Sequence, residues 1–494
     1  MLANGKGGSN GPDEVYPVHF IDQAGLVRSS LISYTFKYDY VLDAAKLHDS
    51  LAMLLSSGKW RKLGGRLRQR NGRLEIHVPK NFDNDRRPFR FSHVKFDTTD
   101  AHPLARRLPK STGNRPSVQE GCTIFREFSI PSTLPNNIEH YLSTDEPLIC
   151  LYINSFTDAT LVSLTFPHSL SDAMGTAKLL QAWAHVLREN NVNSLDLRLE
   201  GAVEDVSASI GDADDKRAQN TKFLLEDREA AGISLLVFIG RYILDTLIYR
   251  NVETHCIYLP ATFLSKLRSE AEQELRLAGD GKIRSVPFVS DGDLITAWGA
   301  RMVLSSRAWK GSAAIYNIFD MRGRLAAFKS SPVSAYIQNL ILPSTTLLTA
   351  EESGRLNVSL IALRVRRAII EQTSESQVRS LMRITRFWIS KLGIMPLFVN
   401  WDTTRVIACT NWTKAQLPNC ADFGPAAIDA NGKECVHSVK PVAYWGTTLS
   451  VTDNPRDAFV IYGKDHDGNY LVHGYLRKET WRLIKAELDH FTPS

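Results

Sequence analysis

Residues 161–187, LVSLTFPHSLSDAMGTAKLLQAWAHVL, change from a two-residue period to a helical one within a few positions. Leu161, Ser163 and Thr165 alternate with Val162, Leu164 and Phe166, which reads as a strand ending at Pro167. From Ala173 the apolar residues Leu179, Leu180, Trp183, Val186 and Leu187 recur at helical spacing, and Ser171 or Asp172 is placed to cap the first turn. His168 therefore sits just past a strand end, in a His-x-x-x-Asp motif with Gly175 three residues on. A strand end is a rigid mount that can hold an imidazole in one tautomer, as general-base chemistry requires.

The motif alone is weak. The chain has 13 histidines, and a second copy, His93 and Asp97, lies in the alternating stretch FRFSHVKFD and reads as strand interior. On spacing alone, a surface or satisfied histidine beside a helix-capping aspartate is the favoured account of His168 and Asp172.

A chain of 494 residues suggests two domains of about 200 to 250 residues each. Residues 1–15 read as a Gly- and Asn-rich flexible tail without the apolar core of a signal peptide, 16–200 as an N-terminal domain carrying the histidine, 201–220 as a polar, acidic interdomain linker, and 221–494 as a C-terminal domain. Hydrophobic content of 43% and charged content of 23% are those of a globular protein. A net charge of +6 suits an anionic cosubstrate without calling for nucleic acid. The six cysteines are far apart with no Cys-x-x-Cys pair, which argues against structural zinc and for a reducing compartment. The most hydrophobic run, 233–239, is too short to span a membrane and is expected to pack between domains. A hairpin is expected around Asn71-Gly72, and turns at Asn431-Gly432 and Asp467-Gly468. Ser290 and Asp291 precede a helix over 294–304, and the basic loop before it, with Lys282 and Arg284, is either an ordinary exposed loop or an anion site at a helix N-terminus.

Four stretches in fixed order carry a family resemblance: His168 to Asp172; Ser290 to Ala297; Asn317 to Arg324, with Tyr336 to Asn339 after it; and Thr410 to Trp412 followed by Ala421 to Gly424. This set resembles the BAHD-type CoA-dependent acyltransferases, in particular their fungal secondary-metabolism branch with its trichothecene acetyltransferase-like enzymes. The resemblance implies an α/β fold of two chloramphenicol-acetyltransferase-like domains with mixed sheets and an active-site channel at their interface. It implies that His168 is the general base and that Asp172 is structural, pointing toward an arginine, for which Arg322, beside Asp320, is the candidate. Thr410 and Trp412 match residues near the oxyanion, although Trp412 reads equally as a core aromatic. Lys282, Arg284 and Ser290 fall where family members contact CoA. Asp422 and Gly424 match the start of a structural Asp-Phe-Gly-Trp-Gly motif.

Two departures stand out: Ala173 replaces the usual glycine after Asp172, and Pro425 and Ala426 replace Trp-Gly. The implied activity is transfer of an acyl group, acetyl first, from acyl-CoA to a hydroxyl or amine of a small natural product. The implied enzyme is a cytoplasmic monomer with no metal, no permanently bound cofactor, no nucleic-acid partner and no membrane span. The alternatives are a condensation-type catalyst acting on a carrier-protein thioester and a non-catalytic ligand-binding descendant.

Overall fold

The computed structural model describes residues 12–278, 287–306, 311–328, 334–428, 437–449 and 455–492. The alternating run folds as strand Thr160–Pro167, buried along its whole length, and the helical run as Ala173–Glu189, ended by Asn190 in the left-handed region. Its apolar stripe is buried as the spacing requires, and the Trp183 indole N–H donates to Ser50 Oγ at 2.9 Å. The hairpin Arg66–Arg70 and Arg73–Val78 turns at Asn71 and Gly72, whose φ values of 50° and 78° suit a tight primed turn. The Asp467-Gly468 turn also forms, with Gly468 at φ 86°. The expected Asn431-Gly432 turn lies outside the described residues.

Two mixed sheets organise the α/β fold. The first runs, in spatial order, Ala443–Thr448, Leu31–Tyr38, Thr160–Pro167, Cys150–Ser155 and Arg90–Lys95, antiparallel except for the last pair. The second runs Ile341–Leu348, Ser312–Asp320, Thr403–Asn411, Ala458–Lys464, Tyr470–Arg477, Val252–Leu259 and Ser117–Glu120, with parallel pairing only on either side of Thr403–Asn411. Each sheet thus takes one edge strand from the other half of the chain: Ala443–Thr448 completes the first, and Ser117–Glu120 the second. Separate cores fill the space against the helices, one built around Trp183 and Trp445 and one around Trp298 and Trp481.

Two expectations about the middle of the chain change. Residues 201–220 connect the halves but are folded against helix Glu375–Leu392: Ile210 is buried, and the Arg379 guanidinium meets Asp215 at 2.9 Å. The hydrophobic run does not pack between domains. It forms helix Ile233–Ile248, which has no buried residue: most of its apolar side chains point outward, Leu235 and Phe238 rest partly on the protein, and its polar side chains are held by the protein.

Candidate active site

Between Leu161 and Asp172 every residue is buried except His168. The main chain there is pinned from both sides. The His168 N–H donates to Ser30 O at 2.8 Å, and Asn339 Nδ2 donates to His168 O at 2.8 Å. The imidazole Nδ1 lies 3.1 Å from the Ser171 carbonyl. A carbonyl only accepts, so Nδ1 carries the proton and Nε2 carries the basic lone pair.

Asp172 caps the following helix, accepting from the Gly175 N–H at 2.8 Å, and accepts from the Leu340 N–H at 3.0 Å. Arg322 forms a bidentate pair with it, each guanidinium nitrogen 3.0 Å from its own carboxylate oxygen. The same guanidinium donates to Asp320 at 2.5 Å and to the carbonyls of Tyr336 at 3.2 Å and Gln338 at 2.7 Å. Burial opposes its charge, but Asp172 and Asp320 outweigh burial and hold Arg322 above the usual arginine range. Burial likewise pushes the Asp320 carboxyl up, with Arg322 opposing. Asp172 is therefore both cap and ion-pair partner, and the two readings open in the sequence are met together.

Gly175 accounts for the displaced glycine. A Cβ there would lie 2.0 Å from the Ile337 carbonyl, so the helix's first turn packs directly on the backbone of the second half. Ser171 Oγ reaches the same carbonyl at 3.1 Å.

Asn339 emerges as a site residue that the spacing did not single out. Its N–H and its side-chain amide both donate to Asp22 Oδ1, at 3.2 and 2.5 Å. Burial pushes the Asp22 carboxyl well above its ordinary range, against those hydrogen bonds, and pushes the nearby Lys62 down to about 8, with Asp22 opposing. Nothing in the sequence around Asp22 signals this connection. Asn339→Ala should lower turnover by about tenfold and cost some stability, since the cradle of His168 loses one donor of roughly 1 kcal/mol or more and the buried Asp22 loses its side-chain donor. Steady-state kinetics with unchanged turnover would remove Asn339 from the positioning of His168.

Thr410 sits near the end of strand Thr403–Asn411, opposite Ile318 and Val460, and is half-buried. Trp412 follows, its ring 5.2 Å from Tyr34 and 5.3 Å from Tyr462, over Gly446, where a Cβ would come within 2.4 Å of the indole. Tyr34 in turn stacks on Phe166, two residues before His168. Trp412 is thus packed as an aromatic against Tyr34 on the strand beside the histidine strand, and only half-buried.

The other described residues named from sequence hold caps and packing contacts. Ser290 caps helix Asp291–Ser305, with its hydroxyl engaged by Asp293 in a capping box. Lys282 and Arg284 lie outside the described residues. Asp422 accepts from the N–H groups of Val439 at 2.9 Å and Gly424 at 3.2 Å, and Phe423 packs on Trp183 and Tyr38. A Gly424 Cβ would strike the His437 carbonyl at 2.3 Å, which gives the glycine a packing reason. His93 lies within strand Arg90–Lys95 with Nε2 2.9 Å from Ser155 Oγ.

A basic imidazole nitrogen fixed at the junction of two mixed sheets, with its loop tied to the second half by Arg322 and Asn339, suits proton abstraction from an acceptor. The chain belongs to the BAHD-type acyl-CoA-dependent acyltransferases, in the branch that serves fungal secondary metabolism. It is 53% identical to acetyltransferase BOT5 of Botryotinia fuckeliana, over 97% of this chain and 91% of that protein. It is 36% identical to O-acetyltransferase PaAT-2 of Phomopsis amygdali, over 96% of this chain and 98% of that one. The fold matches the crystal structure of F. sporotrichioides TRI101 complexed with coenzyme A and T-2, with a TM-score of 0.65 at 14% identity, covering 96% and 97% of the two chains. No family model matches the sequence.

Proposed function

We propose that this enzyme moves an acetyl group from acetyl-CoA to a hydroxyl of a small natural product, with His168 as general base. The observation that carries the reading is the Nδ1 contact to the Ser171 carbonyl, which assigns the lone pair to Nε2. Nε2 takes the acceptor's proton as its oxygen bonds to the thioester carbon. The resulting tetrahedral oxyanion collapses, the carbon–sulfur bond breaks, and the CoA sulfur leaves with the proton held by the imidazolium. Trp412 Nε1–H and the Thr410 hydroxyl are the proposed donors to that oxyanion, where one aimed hydrogen bond can be worth about 3 kcal/mol. Direct transfer in a ternary complex is supported by Ser171, one of the two buried serines of the motif, whose Oγ lies within hydrogen-bond reach of the Asp172 and Ile337 carbonyls and is so engaged with backbone rather than with His168. Lys282, Arg284 and Ser290 are assigned to CoA by the family resemblance alone, and the acceptor and acyl channel to the interface of the two halves. The enzyme is read as a cytoplasmic monomer.

Thermal-shift titration with CoA, acetyl-CoA and longer acyl-CoAs tests the donor without knowledge of the acceptor. A ligand at about 100 times its dissociation constant should stabilise the fold by roughly 2.7 kcal/mol. A saturable shift graded by acyl group is expected. No shift with any of them, together with turnover of a pantetheinylated carrier protein, would replace free CoA by a carrier-bound donor.

A further inference from the structure

Helix Ile233–Ile248 is mounted with its apolar face outward. Ile233, Leu236, Ile243, Leu247 and Ile248 are 72, 68, 52, 54 and 58% exposed. Its polar side chains are spent inward. Arg241 donates to the Trp401 carbonyl, Asp245 pairs with Arg477 and Arg456, and Thr246 accepts from Arg456 at 3.1 Å. Leu235 and Phe238 fasten the N-terminal half to Ala230 and Val399. The outward side chains, with Tyr242 and the exposed Trp401 beside them, form one apolar face, and apolar exposure gathered into one patch rather than scattered singly marks an interaction surface.

Three features say what covers it. At 16 residues the helix is about 24 Å long, and no described helix is long and apolar enough to cross a membrane, so the geometry in which this face would meet a bilayer is with the helix along its surface. Trp401 and Tyr242 join an apolar ring to a polar tip, the side chains favoured at the level of lipid headgroups. The rim carries a cationic excess: exposed Arg228 and Arg250 flank the two ends of the helix and exposed Lys391 lies on a neighbouring segment, against the exposed acid Asp402, while the exposed Asp227 is paired with Lys222 at 2.6 Å, on a chain of net charge +6. A second copy seated symmetrically on this face would bring like-charged rims together, whereas a bilayer carrying anionic lipids complements them.

We propose that this face seats the enzyme in the interfacial region of an anionic lipid bilayer, with helix Ile233–Ile248 parallel to the surface. Flotation with vesicles of phosphatidylcholine, with and without phosphatidylserine, tests it. The wild type should float with the vesicles, more with phosphatidylserine present, and less as salt rises. The variant Leu236→Ser/Ile243→Ser/Leu247→Ser should lose about a hundredfold in partitioning while keeping its melting temperature and its CoA-induced shift. Arg228→Glu/Arg250→Glu leaves the apolar face intact and should lose the preference for phosphatidylserine. A wild type that stays unbound with both vesicle types overturns the proposal. So does a wild-type dimer in sedimentation velocity that the serine variant turns into a monomer without any vesicle binding, which would give the face to a second copy.

Discussion

Replacing His168 with alanine is expected to lower acyl transfer by about 10²–10⁴-fold, the usual contribution of a positioned general base, while leaving the melting temperature near that of the wild type. The side chain is partly exposed, and the loop is held by main-chain contacts that alanine keeps: the His168 N–H to Ser30 and the His168 carbonyl to Asn339. The CoA-induced thermal shift should also survive, which separates lost chemistry from lost binding. His168→Gln preserves a hydrogen-bonding side chain without the basicity and should be equally slow. A variant turning over at the wild-type rate would take His168 out of the reaction.

The second large effect concerns the ion pair behind the histidine. Arg322→Ala removes both guanidinium contacts to Asp172 and leaves that buried carboxylate, among the described residues, with the Gly175 and Leu340 N–H groups. Breaking a buried pair from one side typically costs about 3–5 kcal/mol, because the remaining charge stays desolvated. Asp320, which also leans on Arg322, adds a second uncompensated acid. Stability and turnover should therefore fall together. Arg322→Lys should recover part of the stability through its charge but not the planar fork that reaches two carboxylates and two carbonyls. Chemical denaturation with a wild-type midpoint in Arg322→Ala would show that the pair is not what ties the histidine loop to the second half.

What was legible in the sequence was local. The strand, turn and helix around His168, the hairpin at Asn71-Gly72 and the capped helix after Ser290 each announce themselves within a few residues, because period, cap and turn chemistry act over that range. The family resemblance proposed Arg322 as Asp172's partner across 150 positions, and the geometry pairs them. No local signal joins Asp22 to Asn339, 317 positions away, or gathers Cys122, Cys256 and His473 so that their ligand atoms lie within 4.8 Å. Such contacts depend on tertiary packing, which leaves no period in the chain. The run at 233–239 misled for a related reason. Hydrophobicity says that a segment avoids water, but only the placement of Arg241 and Asp245 decides which side of the helix turns toward the protein.

The exchange of edge strands between the sheets bears on how the chain is made. Strand Leu31–Tyr38 is among the first to leave the ribosome, yet its partner Ala443–Thr448 is among the last. Through most of synthesis its outer row of N–H and C=O groups has no mate from the native fold, and an unpaired edge invites pairing with other nascent chains. Neither half is complete until the other has been made. The open strand is therefore a point of exposure during elongation, and a cut at the midpoint would yield two fragments that each lack a strand.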